Sequence, residues 1–357
     1  MRPQFLSRTR QFNAPRTFTT SARFFSAEPP AASSIASSFL SRFQTPGPQT
    51  RTQTLDANQL QLLTLTLNRP SLYPGSPSLS NNAPPLDTPV PPGYHLVYFT
   101  PAFLEGELGA DGTDTSYNPE SPFTRRMWAG GEVLWPRGGD GKPNFLRVGQ
   151  EVRETTRVLS AESKVVKKTG EDMIVVGVEK QFFNEHGVAI IDRRNWVFRK
   201  ALPTPSLLTP LNTATPSTSH LTEASASIIS TEGNTHSKTF VQSPVTLFRF
   251  SALTFNPHKI HYSLPWARDV EGHRDIVVHG PLNLISILDL WRDIKGEGKE
   301  SGLEAMELVP RSISYRATSP LYAGDEYNIV LEEDGNLAKV NILGPGGNVS
   351  MKAEIQS

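Results

Sequence analysis

The chain reads as an α+β protein of two similar halves, each a helix-bearing segment followed by antiparallel strands. Three observations predict this. Residues 250–291 join an Asn-Pro loop ending in a histidine to a helix, entered through His-Gly-Pro, that is apolar on most sides. Extended segments rich in Val, Ile and aromatics fill residues 146–199 and recur in 305–355. A stretch of Pro, Ser, Thr and small residues lies between them and divides the chain.

Residues 1–27 hold Arg2, Arg8, Arg10, Arg16 and Arg23, many Ser, Thr and Phe, and no acid before Glu28. This is the composition of a mitochondrial transit peptide, with a disordered basic arm as the plainer reading. The full chain carries 35 basic and 35 acidic residues, so removing those five arginines leaves about five net negative charges. Residues 28–92 are Pro/Ser-rich, interrupted at 56–69 by Leu60, Leu62, Leu63, Leu65 and Leu67. That patch is expected to dock on the body of the protein. Asp56 suits a helix cap, but the leucines also fit a period of two, so helix and strand both stand.

Residues 93–202 form the expected first domain. Residues 94–99 read as a strand and lead into a Gly/Asp loop that runs to Asp114; extended segments follow at 146–163, 172–183 and 188–199. The last two make a hairpin around Asn184-Glu185-His186-Gly187. Residues 203–240 lack the large apolar groups needed for packing and read as a linker or surface insertion. The second domain, 241–357, repeats the plan. It has an entry strand at 245–250, the His-containing loop and the helix, then strands at 305–317, 326–332, 337–342 and 348–355. A sheet wrapped around a single buried helix explains why that helix is apolar nearly all round.

Composition excludes several classes. There is no cysteine, hence no disulfide, thiolate nucleophile or thiolate zinc site. No apolar run approaches the roughly 18–20 residues of a membrane span, and the neutral net charge makes a general nucleic-acid surface unattractive. Neither a cofactor nor a metal is expected. His258 and His261 stand three apart, but no third ligand follows at useful spacing.

The helix entry carries the strongest chemical signal. Pro281 suits the first helical turn, where its missing N–H costs nothing. Gly280 therefore sits at the mouth of a helix whose free N–H groups suit a carbonyl that becomes negatively charged.

Four blocks together resemble a known family: Arg125-Arg126-Met127-Trp128-Ala129-Gly130-Gly131-Glu132, Asn256-Pro257-His258-Lys259-Ile260-His261-Tyr262, the Val270-Glu271-Gly272 turn and Gly280-Pro281. They look like the double hot-dog (MaoC-like) dehydratases, specifically the fungal mitochondrial 3-hydroxyacyl-thioester dehydratases of type 2, over residues 94–199 and 245–355. The same blocks are similar to mesaconyl-CoA hydratases. The resemblance implies a double hot-dog fold: two antiparallel sheets each wrapped around a helix, the second helix long and buried. It also implies a hydro-lyase of the mitochondrial matrix that converts (R)-3-hydroxyacyl thioesters, carried on acyl carrier protein or coenzyme A, to trans-2-enoyl thioesters. No nucleic acid or membrane span is implied, and a homodimer is compatible with it. A mesaconyl-CoA-type hydratase and a non-catalytic thioester-binding protein on the same fold are the alternatives.

The resemblance assigns residues. His261 handles protons or merely bonds a neighbouring backbone group, Asn256 lines the site beside it or is a simple turn residue, and Gly280 with Leu282 supplies oxyanion donors or only a tight helix entry. Related hydratases place an Asp two residues before the Asn. Here that position is Thr254, and His258 and Lys259 lengthen the loop. A threonine hydroxyl orients water but takes no proton as a carboxylate does, so His261 works with water alone or another acid approaches from elsewhere. Ser263 is a second departure, where an acid is usual. Arg125 and Arg126 hold a phosphate of the coenzyme or pantetheine arm, or merely solubilise the surface. Tyr262 and His279 line the substrate site, His279 with a purely structural role as its alternative. The Trp128–Gly131 stretch is expected to replace the long helix of the first half, shortened so that a bulky acyl chain enters.

Overall fold

Strand-forming runs rich in β-branched and aromatic residues pair into one antiparallel sheet of eleven strands. The computed structural model describes residues 30–73, 75–202, 228–297 and 305–357. In chain order the strands are β1 (Gln49–Thr54), β2 (Arg125–Leu134), β3 (Glu151–Val165), β4 (Asp172–Asn184), β5 (Gly187–Arg199), β6 (Ser230–Glu232), β7 (Thr235–Val241), β8 (Ser312–Ala317), β9 (Glu326–Asp334), β10 (Leu337–Leu343) and β11 (Val349–Gln356). Across the sheet the order is β1-β3-β4-β5-β2-β8-β11-β10-β9-β7-β6.

The order corrects the expectation of two sheets. Each half is a meander-like set, but β2 of the first half pairs with β8 of the second, from Gly130↔Arg316 to Leu134↔Ser312. An unpaired strand edge leaves a row of N–H and C=O groups open, and here each half covers the edge of the other. Two glycines make the seam feasible. A Cβ at Gly130 would lie 2.5 Å from the Tyr315 carbonyl oxygen of β8, and one at Gly131 would lie 2.7 Å from the Tyr315 hydroxyl.

Among the described residues, α-helices pack into the cores this sheet builds. The helix α1 (Ala32–Gln44) buries Ile35, Ala36 and Phe39, which share a core with Val158 of β3, Ile174, Val176 and Val178 of β4, and Phe198 of β5. This helix falls inside the stretch read as Pro/Ser-rich, ahead of the expected docking patch. Its serines masked an apolar stripe at helical spacing. Residues 57–66 settle the open choice between helix and strand: α2 (Ala57–Thr66) is capped by the Asp56 side chain, which accepts a hydrogen bond from the Gln59 N–H at 2.8 Å. Leu60 and Leu63 dock into the main core.

Residues 245–250, expected as a strand, lie in helix α3 (Pro244–Leu253). Ser243 caps it by accepting from the Thr246 N–H at 3.1 Å, and Pro244 occupies the first turn. The cap and proline outweigh the β propensity of Val245 and Phe250. Helix α4 (Gly280–Gly296) is the buried one: Leu284, Ile285, Ile287 and Leu288 join Ile313, Ile329, Val340 and Ile355 of the second-half strands in one core.

Three more expectations change. Residues 94–99 contain a 3₁₀ turn, Tyr94–Val97, with Tyr94, His95 and Val97 buried, so an unbroken apolar run here is a buried turn rather than a strand. Trp128–Gly131 belongs to β2 and does not replace a helix. The interval 203–240 ends in strands β6 and β7, and β7 pairs with β9. Strand 305–317 begins only at Ser312. Residues 1–27 and 203–227 lie outside the described residues, and with them the expected transit peptide and most of the insertion. Among the described residues no helix is long and apolar enough to cross a membrane.

Candidate active site

Helix α3 ends at Thr254, and Phe255 then adopts a left-handed conformation with φ 47°, which turns the chain sharply away from the helix axis. Asn256 stabilises the reversal: its Oδ1 accepts the His258 N–H at 3.2 Å. A 3₁₀ turn, Lys259–His261, follows. The loop is pinned at its middle by the Lys259 N–H donating to the Asp111 carbonyl at 2.8 Å, and at its end by the Val277 N–H donating to the Ile260 carbonyl at 2.8 Å.

This loop delivers His261 to the N-terminus of α4. The ring is 8% exposed, and its Nδ1 lies 2.7 Å from the Val277 carbonyl oxygen. A carbonyl only accepts, so Nδ1 donates and Nε2 is left with a lone pair. The ring stacks on His279, centroids 3.6 Å apart and planes 19° from parallel. Burial, and then the nearby His258, push the His261 pKa down to about 3. Burial likewise holds His279 well below the usual histidine range. His279 is fixed through its Nε2, 2.9 Å from the Ser251 hydroxyl of α3.

All nine residues singled out from the sequence line a single partly open cavity of about 1610 Å³ that draws on both halves of the chain. Their individual situations differ. The Thr254 hydroxyl donates to the Phe250 carbonyl at 2.7 Å, so it closes the end of α3 instead of standing free to orient water. Arg126 pairs with Asp114 and lies over the Trp196 ring, centroid 5.0 Å away. Burial would raise the Asp114 pKa, yet that guanidinium holds it below the usual carboxylate range. Arg126 is therefore already committed, whereas Arg125 keeps a buried Nε with no hydrogen-bond partner among the described residues. Tyr262 is 46% exposed, on the outer part of the site.

Gly280 opens α4, and the first intrahelical acceptor is the His279 carbonyl, bonded by the Asn283 N–H at 3.2 Å. The Gly280 and Leu282 N–H groups precede that ladder. Trp128 lies directly against Gly280: a Cβ there would stand 2.1 Å from the indole Cε3. Strand β2 thus brings its tryptophan to the helix mouth, which only glycine accommodates.

Sequence reasoning missed a carboxylate group beside the histidines. His258 Nε2 lies 3.6 Å from Glu271 Oε1 and 3.8 Å from Asp111 Oδ2, and the ligand-type atoms of these three residues lie within 4.8 Å of one another. The spacing of His258 to His261 had been weighed for a metal without a third ligand; the fold supplies His258 with two neighbours from distant loops. Trp266 Nε1 donates to Glu271 Oε1 at 3.2 Å. Burial would raise the Glu271 pKa, but His258, the Trp266 N–H and the charge of Arg125 hold it below the usual carboxylate range. The Val270-Glu271-Gly272 turn stood out in the sequence, yet nothing in its spacing pointed Glu271 at a histidine loop.

The chain is similar to several known proteins. The profile of the family described as hydroxyacyl-thioester dehydratase type 2 matches residues 93–323. Mesaconyl-C(4)-CoA hydratase of Chloroflexus aurantiacus is 27% identical over 285 residues, covering 77% of this chain and 86% of its own. The mitochondrial hydroxyacyl-thioester dehydratase type 2 of Schizosaccharomyces pombe is 27% identical over 273 residues, covering 70% of this chain and 80% of its own. Among solved structures, a MaoC-like dehydratase from Phytophthora capsici aligns over 87% of this chain and 95% of its own, with a TM-score of 0.56 at 14% identity, which shows a shared fold.

Proposed function

The chain belongs to the hydroxyacyl-thioester dehydratase type 2 family, whose members are hydro-lyases, and from that premise we propose that it removes water from (R)-3-hydroxyacyl thioesters to give trans-2-enoyl thioesters. The observation that carries the reading is the ring of His261, whose Nε2 lone pair is left free by the Nδ1 bond to Val277, in a cavity that also holds the N-terminus of α4.

Dehydration breaks a Cα–H bond and a Cβ–O bond. The Nε2 lone pair of His261, free because Nδ1 donates to Val277, is placed to take the first proton. Charge that develops on the thioester oxygen meets the Gly280 N–H at the positive end of α4. Trp128, packed on Gly280, gives that end of the cavity an apolar wall, and Asn256 shapes the histidine loop through its own backbone bond. Arg125 is the cation available for a phosphate of the coenzyme or pantetheine arm.

The relatives named mitochondrial and the arginine-rich, acid-free residues 1–27 support a matrix location, with acyl groups delivered on acyl carrier protein in fatty acid synthesis. A second reading, hydration of a branched dicarboxylic acyl-CoA, is favoured by the Chloroflexus relative and by Arg125, whose buried Nε has no hydrogen-bond partner among the described residues and would suit a second carboxylate. Hydration rates on crotonyl-CoA and mesaconyl-CoA separate the two. The dehydratase reading requires the faster rate on crotonyl-CoA and a loss of about 10²–10⁴-fold in His261→Ala. Equal activity in the wild type and His261→Ala would end the catalytic assignment of His261, and hydration by neither would leave a non-catalytic thioester-binding protein.

A further inference from the structure

Resting on the dehydratase reading, we propose that the His258–Glu271 pair, with one proton held between imidazole and carboxylate, is the acid that protonates the departing hydroxyl. The need for a separate acid follows from geometry. His261 donates its Nδ1 proton to the Val277 carbonyl, so its Nε2 enters the reaction as an acceptor and has no proton to give at the outset. Thr254 has spent its hydroxyl proton on the end of α3. Hydroxide is a poor leaving group, and the oxygen must depart as water.

The described residues offer one arrangement in the cavity that suits the task. His258 and Glu271 both line it, whereas Asp111 does not, and Asp111 Oδ1 already accepts from the Thr113 N–H and hydroxyl at 2.9 and 2.7 Å. Asp111 therefore backs the histidine from outside. The His258 side chain is 9% exposed, and its Nε2 is buried without a hydrogen-bond partner among the described residues. An imidazole nitrogen left over in this way, facing two carboxylates, is tied up by no structural bond and is open to proton exchange with them. The His258 ring stands edge-on to His261, centroids 5.4 Å apart, so the two proton sites share one end of the cavity.

The step balances without a co-reactant. The Cα–H bond breaks, its proton goes to His261 Nε2, and its electron pair becomes the C=C bond. The Cβ–O bond breaks, and the oxygen leaves as water with the proton held between Glu271 and His258. The proton on His261 then returns to His258, which restores the resting state. In hydration the order reverses, with the Glu271 carboxylate taking a proton from water.

The test uses the leaving group. The purified full chain and its variants are compared on a 3-hydroxyacyl-CoA and on the matching 3-chloroacyl-CoA, whose chloride departs without a proton. Glu271→Gln retains an oxygen for the Trp266 N–H, so the variant is expected to keep the wild-type melting temperature. The expected result is a loss of about 10²-fold or more on the hydroxyl substrate and about threefold or less on the chloride, with Glu271→Asp restoring part of the hydroxyl rate. His261→Ala is expected to lose both. Equal losses of Glu271→Gln on the two substrates, or an undiminished hydroxyl rate, would overturn the assignment and leave the dehydratase reading standing. Loss of wild-type activity in a chelator, restored by a divalent cation, would also overturn it, because the trio would then be holding a metal. A wild type inactive on both substrates removes the dehydratase reading and this assignment together.

Discussion

Burial governs the chemistry of individual residues here. His261 and His279 stack as buried rings, and both are held neutral by the cost of charging a buried ring. This has a consequence for stability. The unfolded chain gains a proton at each of these histidines as pH falls through about 6.5, while the folded chain refuses it. Neither ring contributes above that pH, and stability falls as pH drops from about 6.5 toward 3 for His261. The cost is about 1.4 kcal/mol per pH unit for each such ring. Melting temperatures at pH 7.5 and 5.5 are expected to differ more in the wild type than in His261→Gln. An identical pH dependence in the two proteins would mean that the ring is charged in the folded state.

At the scale of elements, the N-terminus of α4 depends on a strand far from it in sequence. Trp128 of β2 fills the space where any side chain at residue 280 would begin. Gly280→Ala is therefore expected to displace the indole or the helix start, destabilising the protein by about 1–3 kcal/mol and lowering activity more than it lowers stability. Pairing it with Trp128→Ala removes the clash. The double variant should recover thermal stability in a melting experiment without recovering full activity, because the apolar wall is gone. Stability and activity that return together would reduce Gly280 to a packing residue.

Across the whole molecule, one seam joins the halves. Strands β2 and β8 make the two sets of strands into one sheet, and the cavity opens across them, lined by Arg125, Arg126 and Trp128 from one side and the histidine loop from the other. Neither half holds the site alone. Gly130→Ala places a methyl group 2.5 Å from the Tyr315 carbonyl oxygen of β8 and is expected to destabilise both halves together by about 3 kcal/mol, seen as a single melting transition at lower temperature. Two separate transitions in that variant would show that the halves fold independently of the seam.

The sequence by itself determined the strand-bearing segments, the apolar α4 with its Gly-Pro entry and the loop that carries His261. These rest on local signals: alternation, helical spacing, capping residues and proline geometry. Short apolar runs misled at 94–99 and 245–250, where burial and an N-cap outweighed β propensity. Only the tertiary structure decided which groups meet. Asp111, His258 and Glu271 come from separate loops, Trp128 reaches Gly280 through sheet pairing, and Arg126 is withdrawn from the substrate by Asp114. Contacts of this kind follow from how loops close over one another, and a linear spacing holds no record of that closure.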